Sequence, residues 1–290
     1  VEELLHQIAA GLATGGIYAS LALALVMIYQ ATHHVNFAQG ELAMCSTYLA
    51  WALISAGVPY WGAFLISVLV SFVFGMAIER FLFRPVQHAP VLSVVLVFIG
   101  LIFILNSLAG WTFGYIMQVF PSPFPAEPPF GNAYVSSHEL GIVGVTFVVV
   151  TLLYGFFRFT PLGLALRAAA VNPESAALCG IRVGSMLALG WGLASAIGAI
   201  AGMMVAPIVF LDPSMMTNVL LYAFAAALLG GIDSPVGAVL GGFLLGVLEN
   251  LAGAYVIGTE LKLTFALVII VGVLVVRPSG LLGKVVVTRV

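Results

Sequence analysis

RFTPLGLALRAAAVNPESAALCGIRVGS, Arg158 to Ser185, decides how this chain is read. It lies between two long apolar runs yet carries Arg158, Arg167, Glu174 and Arg182, in a protein with only nine basic and eleven acidic residues among 290. A segment so polar does not belong in hydrocarbon, where a charged side chain at mid-depth costs about 2.5–3.5 kcal/mol even by the mildest scale. It has helix grammar of its own. Thr160 before Pro161 suits an N-cap followed by proline at the first helical position, an alanine-rich body follows, and Asn172-Pro173 breaks it before a second short turn ending at Gly180. The stretch predicts a pair of short helices at a membrane surface, placed there to touch something else.

The rest of the chain explains why that segment stands out. Hydrophobic residues make up 62% and charged ones 7%, against about a quarter charged in soluble domains, and the mean hydropathy is +1.20. This composition belongs to a polytopic membrane protein. Thirty-two glycines suit transmembrane helices packed backbone to backbone. A net charge of −2 with no basic cluster disfavours a nucleic-acid partner.

About 20 apolar residues span a bilayer, and that length picks out nine candidate spans, at 4–29, 36–56, 60–82, 91–110, 140–157, 186–208, 217–231, 236–256 and 263–276, the seventh short enough to be broken or re-entrant. Residues 4–29 are too long for a signal-peptide core and lack a basic leader, so they are expected to be a retained helix. The chain opens with Val rather than Met, so residues are expected to precede it. Lys and Arg beside helix ends stay cytoplasmic. Nine crossings with the N-terminus outside place Arg80, Arg84, Arg158, Arg167, Arg182, Arg277, Lys284 and Arg289 inside and only Lys262 outside. The C-terminus is then cytoplasmic and residues 111–139, with Pro121, Pro123, Pro125, Pro128 and Pro129 and no Lys or Arg, form a stiff external loop. That loop is long enough to bind a partner; it also reads as a plain connector with Trp111, Phe113 and Tyr115 at the interface.

Polar residues inside the spans mark candidate sites. Asn36, Gln39 and Glu41 enter an otherwise apolar helix and face either a pathway or a helix interface, or else cap a helix end at headgroup level. Glu249 and Asn250 lie about four turns into the helix that begins after Asp233-Ser234-Pro235, and line a route or pair with a neighbour. On that helix Gly237, Gly241 and Gly246 make one face for close packing. Glu79, Arg80 and Arg84 read as solvated or snorkelling anchors at the cytoplasmic end of the third span. His33 and His34 lack further ligands at metal spacing and read as interfacial histidines, and Cys45 and Cys179 as two small buried hydrophobes. No metal site and no catalytic residue is expected: HExxH and GxSxG are absent, and no GxxxxGK[ST] occurs to hold ATP.

Such a chain moves a solute if partners drive or gate it, and here a resemblance enters. Glu174-Ser175-Ala176, three residues, then Gly180 resembles the EAA loop of ATP-binding-cassette importer permeases, with Ser175 departing from the pattern. Five segments extend the likeness along the whole chain: GGIYASLALALVMIYQATHHVNFAQGELAM, ERFLFRPV, FTPLGLALRAAAVNPESAALCGI, ALLGGIDSPVGAVLGG and VRPSGLLG. They are similar to the smaller, H-type permeases of branched-chain amino-acid importers. The resemblance implies an all-α, polytopic transmembrane helical bundle of about 8–9 spans, type II-like, forming one permease domain over residues 1–290. In it the 158–185 segment is a cytoplasmic coupling helix region, with Arg167, Asn172, Glu174, Gly180 and Arg182 against an ATPase. It further implies a second related permease subunit, two ATP-binding subunits that hold ATP and Mg in place of this chain, a periplasmic substrate-binding protein, and the bacterial inner membrane. The same machinery carrying urea or short amides, a stand-alone channel or secondary carrier, and a membrane scaffold are the alternatives.

Overall fold

The computed structural model describes residues 2–125, 127, 135–277 and 279–283; Pro128, Pro129, Lys284 and Arg289 lie outside them. The described residues form helices α1 (Glu2–Thr32), α2 (Gln39–Ser55), α3 (Tyr60–Ile78), α4 (Arg84–Val86), α5 (Val91–Phe113), α6 (Ser137–Phe159), α7 (Pro161–Val171), α8 (Pro173–Leu178), α9 (Val183–Val209), α10 (Met215–Gly230), α11 (Pro235–Ala252) and α12 (Lys262–Val276). A π turn, Glu79–Phe83, fuses α3 to α4, and a second, Gly253–Ile257, extends α11. An isolated antiparallel bridge, Gln118 to Leu211, joins two loops. The protein is an all-α, polytopic helical bundle.

Among the described residues seven helices are long and apolar enough to cross a membrane: Glu3–Thr32, Tyr60–Val86, Val91–Phe113, Ser137–Phe159, Val183–Val209, Pro235–Ile257 and Thr259–Val276. The other two of the nine expected spans are helices too, but α2 has 17 residues and α10 has 16, short of the roughly 20 a spanning helix needs. An apolar run in sequence is longer than the helix cut from it when the chain enters or leaves that helix inside protein.

The chain divides into two compact units. One comprises Val1–Val26, Phe124–Phe147 and Asn218–Val290, the other Met27–Pro123 and Val148–Thr217. In the first, glycines decide the packing. A Cβ on Gly237 would collide with the Gly230 carbonyl and one on Gly241 with the Ala226 carbonyl, so this row of α11 lies against α10. Gly242 and Gly246 meet Ala19 and Gly15 of α1 in the same way. The expected single face carrying Gly237, Gly241 and Gly246 is therefore two faces, because a step of one residue turns a helix by about 100°. Past α12, Leu281 and Leu282 donate backbone N–H to Leu229 and Gly230 carbonyls at 2.8 and 2.9 Å, tying that segment to the end of α10.

In the second unit α2, α3 and α9 make the core. A Cβ on Gly75 of α3 would stand 2.7 Å from the Trp191 carbonyl of α9, and one on Gly192 would stand 2.9 Å from the Phe72 carbonyl. The backbones touch, as small residues allow between helices that no hydrophobic effect drives together in lipid. Beneath that contact Phe83 and Phe98 pack on the fully buried Trp191, with ring centroids 5.1 and 5.9 Å away. Phe113 stacks on Tyr48 at 4.6 Å, so it is a packing residue of this core, whereas Trp111 and Tyr115 are exposed.

Candidate functional site: a capped surface segment and the buried polar residues

The Arg158–Ser185 stretch folds as two short helices whose starts are fixed by local chemistry. Thr160 Oγ1 accepts from Gly163 N–H at 3.0 Å and Asn172 Oδ1 from Ser175 N–H at 2.9 Å, each cap followed by proline at the first helical position. Gly180, at φ +83°, reverses the chain after α8, a conformation that favours glycine. Gly163, Leu166, Ala169 and Ala176 are buried; Gly163 sits so close to Phe156 and Phe157 that α7 lies hard against the end of α6. Every expected coupling residue, Arg167, Asn172, Glu174, Gly180 and Arg182, is on the opposite, exposed side. None of Arg167, Glu174 and Arg182 has a charged partner among the described residues. Between them Val171 and Leu178 are 85% and 90% exposed. Cys179, expected to be buried, is exposed as well, because it falls in the turn after α8 where no helix covers it.

Asn36, Gln39 and Glu41 are buried together at the start of α2. Asn36 Oδ1 accepts from Ala38 N–H at 3.0 Å and its amide donates to Gln39 Oε1 at 3.2 Å; Gln39 Nε2 donates to the Ala194 carbonyl at 2.9 Å. Ala194 is about 17 Å along α9 from its first residue. The helix thus begins deep beside α9, and its first polar groups are met by protein instead of by headgroups. Asn106 of α5 lies within hydrogen-bonding reach of Glu41 and donates to the Pro213 carbonyl at 2.7 Å. One oxygen of Glu41 has no partner among the described residues.

In the other unit Glu249 and Asn250 are also buried. Tyr18 and Tyr222 stack at 4.9 Å and turn their hydroxyls toward Glu249, one of whose oxygens is unpartnered. Asn250 bridges two helices: it donates to Thr14 Oγ1 at 3.0 Å and accepts from Lys262 Nζ at 2.7 Å. Thr14, Tyr18, Tyr222, Asn106 and Lys262 were not among the expected site residues. Their signal is the one that marked Glu249: isolated polar side chains within apolar helices.

Glu79 and Arg84 differ most from expectation. Glu79 is fully buried and pairs with Arg84 at 2.7 Å, where solvated or snorkelling anchors were expected. Glu79 follows Ser67, Ser71 and Gly75 at steps of four along the buried face of α3, and the π turn that starts with it brings Arg84 round to the same side, a local change of helix type that apolar periodicity does not reveal.

A charge-poor helical bundle with buried polar helix starts and one exposed, charged surface segment is the architecture of an integral-membrane permease. Residues 7–274 match the family described as branched-chain amino acid transport system / permease component, and the chain belongs to that family. It is 31% identical to the high-affinity branched-chain amino acid transport system permease protein LivH of Escherichia coli (strain K12), over 97% of this chain and 96% of that protein. It is 32% identical to permease protein BraD of Pseudomonas aeruginosa, over 98% and 97%. The probable LivH of Methanocaldococcus jannaschii is 28% identical, over 91% and 87%. Among solved structures, PsaBC from Streptococcus pneumoniae in complex with Fab aligns with 96% of this chain and 91% of that one at 13% identity and a TM-score of 0.47.

Proposed function

We propose that this chain is the membrane-spanning subunit of an ATP-driven importer that carries branched-chain or other apolar amino acids across the bacterial inner membrane. ATP is hydrolysed by two separate ATP-binding subunits. A second, related permease completes the route and a periplasmic binding protein delivers the substrate. The N-terminus lies outside and the C-terminus in the cytoplasm, the orientation in which nine crossings keep Arg80, Arg84, Arg158, Arg167, Arg182 and Arg277 on the cytoplasmic side. The relatives' names support the substrate class, and none of those compared points to urea or amides.

The observation that carries the reading is the exposed face of α7 and α8: among the described residues Arg167, Glu174 and Arg182 stand without charged partners around bare Val171 and Leu178. An ATPase groove that closes on this face would push on α8. The push reaches α9 through the turn at Gly180, and α9 carries the carbonyl at Ala194 that holds Gln39 at the buried start of α2. A two-state element biased from outside is what energetic coupling requires.

Reconstitution tests it. The chain, its sister permease and the ATPases in liposomes, given binding protein and leucine, should import leucine only with ATP. Uptake by this chain without any ATPase would replace the reading with that of a channel or carrier.

A further inference from the structure

Arg84 sits directly behind the coupling segment. Its Nε and one terminal nitrogen donate to the two oxygens of Glu79 at 3.1 and 2.7 Å, and the same terminal nitrogen donates to the Gly184 carbonyl at 2.6 Å. Gly184 is in the first turn of α9, just past the exit from α8. The guanidinium lies flat over it: a Cβ at Gly184 would stand 3.2 Å from the guanidinium carbon and nitrogens. Pro173, the first residue of α8, borders the same cavity of about 450 Å³ that Arg84, Gly184, His33 and His88 line.

Two features make this arrangement specific. Residues five apart on a regular α-helix point about 140° away from each other. The π turn over Glu79–Phe83, closed by the Arg84 N–H on the Glu79 carbonyl, brings both side chains to one side. The planar fork of arginine then meets a carboxylate and a third acceptor together, which an ammonium cannot do in one geometry. The second feature is the link it spans. Between α8 and α9 the chain passes through Gly180 at φ +83° and through Arg182, whose side chain makes no cap. A push on α8 would dissipate in that link unless the first turn of α9 were held from behind.

We propose that Arg84 is a positioning residue of the transport cycle: by gripping Glu79 and the Gly184 carbonyl it makes the coupling segment, the first turn of α9 and the adjoining end of α3 move as one body. This rests on the reading that α7 and α8 meet an ATPase. Glu79 supplies the fixed charge that orients the guanidinium, and a side chain at Gly184 would press on that guanidinium from 3.2 Å.

The test is made on the full assembly in liposomes, in a Cys45→Ser background that leaves Cys179, exposed at the end of α8, as one spin-label site. The second label goes on Phe81→Cys beside the clasp or on Trp111→Cys at the far end of α5, positions 76% and 83% exposed. Between nucleotide-free and ATP-bound states the 179–111 distance should change while the 179–81 distance stays fixed. Arg84→Lys should release the 179–81 distance and raise the ATP consumed per leucine by about 2- to 30-fold, the range of mutations along a coupling route. Gly184→Ala keeps both charged side chains and displaces the guanidinium by only a few tenths of an ångström, so it should shift both readouts in the same direction even where Arg84→Lys fails to assemble. A fixed 179–81 distance and wild-type stoichiometry in both variants, or in Gly184→Ala alone where Arg84→Lys does not assemble, would overturn the clasp while leaving the importer reading in place. An unchanging 179–111 distance in the wild type would remove the importer's coupling surface and the clasp with it.

Discussion

Gly241→Leu should separate α10 from α11. A Cβ at this position would stand 2.8 Å from the Gly230 nitrogen and 3.0 Å from its Cα, and closer still to the Ala226 carbonyl oxygen, where ordinary contact begins at 3.4 Å. All three obstacles are backbone, so no rotamer change relieves them and the helices must part locally by more than half an ångström. A gap of about 0.5–1 Å already forfeits a quarter to a half of each dispersion contact across it. In lipid no hydrophobic gain offsets that loss, and overpacking typically costs about 1–3 kcal/mol before the rest of the leucine is accommodated. The assay is thermal unfolding of the purified chain in detergent, followed by size-exclusion chromatography and near-ultraviolet dichroism. Gly272→Leu on α12 is the control, since a Cβ there meets nothing within 4 Å. The expected result is a clearly lowered midpoint for Gly241→Leu and none for Gly272→Leu. Equal midpoints for the two would show that the α10–α11 backbone contact is not what holds this pair.

Three further outcomes are expected. Arg167→Glu or Glu174→Arg should leave the protein in the membrane yet separate ATP turnover from uptake, because each reverses an exposed charge on the coupling face; wild-type leucine transport by both would count against that assignment. Lys262→Met should destabilise the chain by about 1–3 kcal/mol, as it leaves the buried Asn250 oxygen without its donor, and a denaturant titration matching wild type would refute the Thr14–Asn250–Lys262 relay. Cys179 should react with a maleimide far faster than half-buried Cys45 in the isolated chain and be protected once the ATPases bind; undiminished labelling in the full assembly would mean that α8 is not covered.

What could be read without coordinates was chemistry confined to a few neighbouring residues. Thr160-Pro161, Asn172-Pro173, Gly180 and Ser234-Pro235 announce helix ends because a cap is made by the residues beside it, and α7, α8 and α11 begin where those pairs put them. The long apolar spans were legible for the same reason of local bulk. The depth at which α2 starts was not, since it depends on a carbonyl of α9 that is 155 residues away from Gln39. Nor was the pairing of Arg84 with Glu79, which follows from a π turn, or the division of the α11 glycines between two neighbours, which follows from a one-residue difference in register. Polar residues in apolar helices pointed to Glu41, Glu249 and Asn250; the same criterion applied evenly would also have raised Asn106, Thr14 and Tyr18.

The π turn between α3 and α4 has a consequence for how this sequence tolerates change in length. It holds one residue more than the helix on either side would allot to the same rise, so removing any one of Arg80, Phe81 or Leu82 would leave a regular helix with the two partners of the clasp four steps apart, still on one face. The same five steps wound as a regular helix would instead carry Arg84 about 140° away from Glu79. At this point the winding of the chain, as much as the identity of its residues, is under constraint.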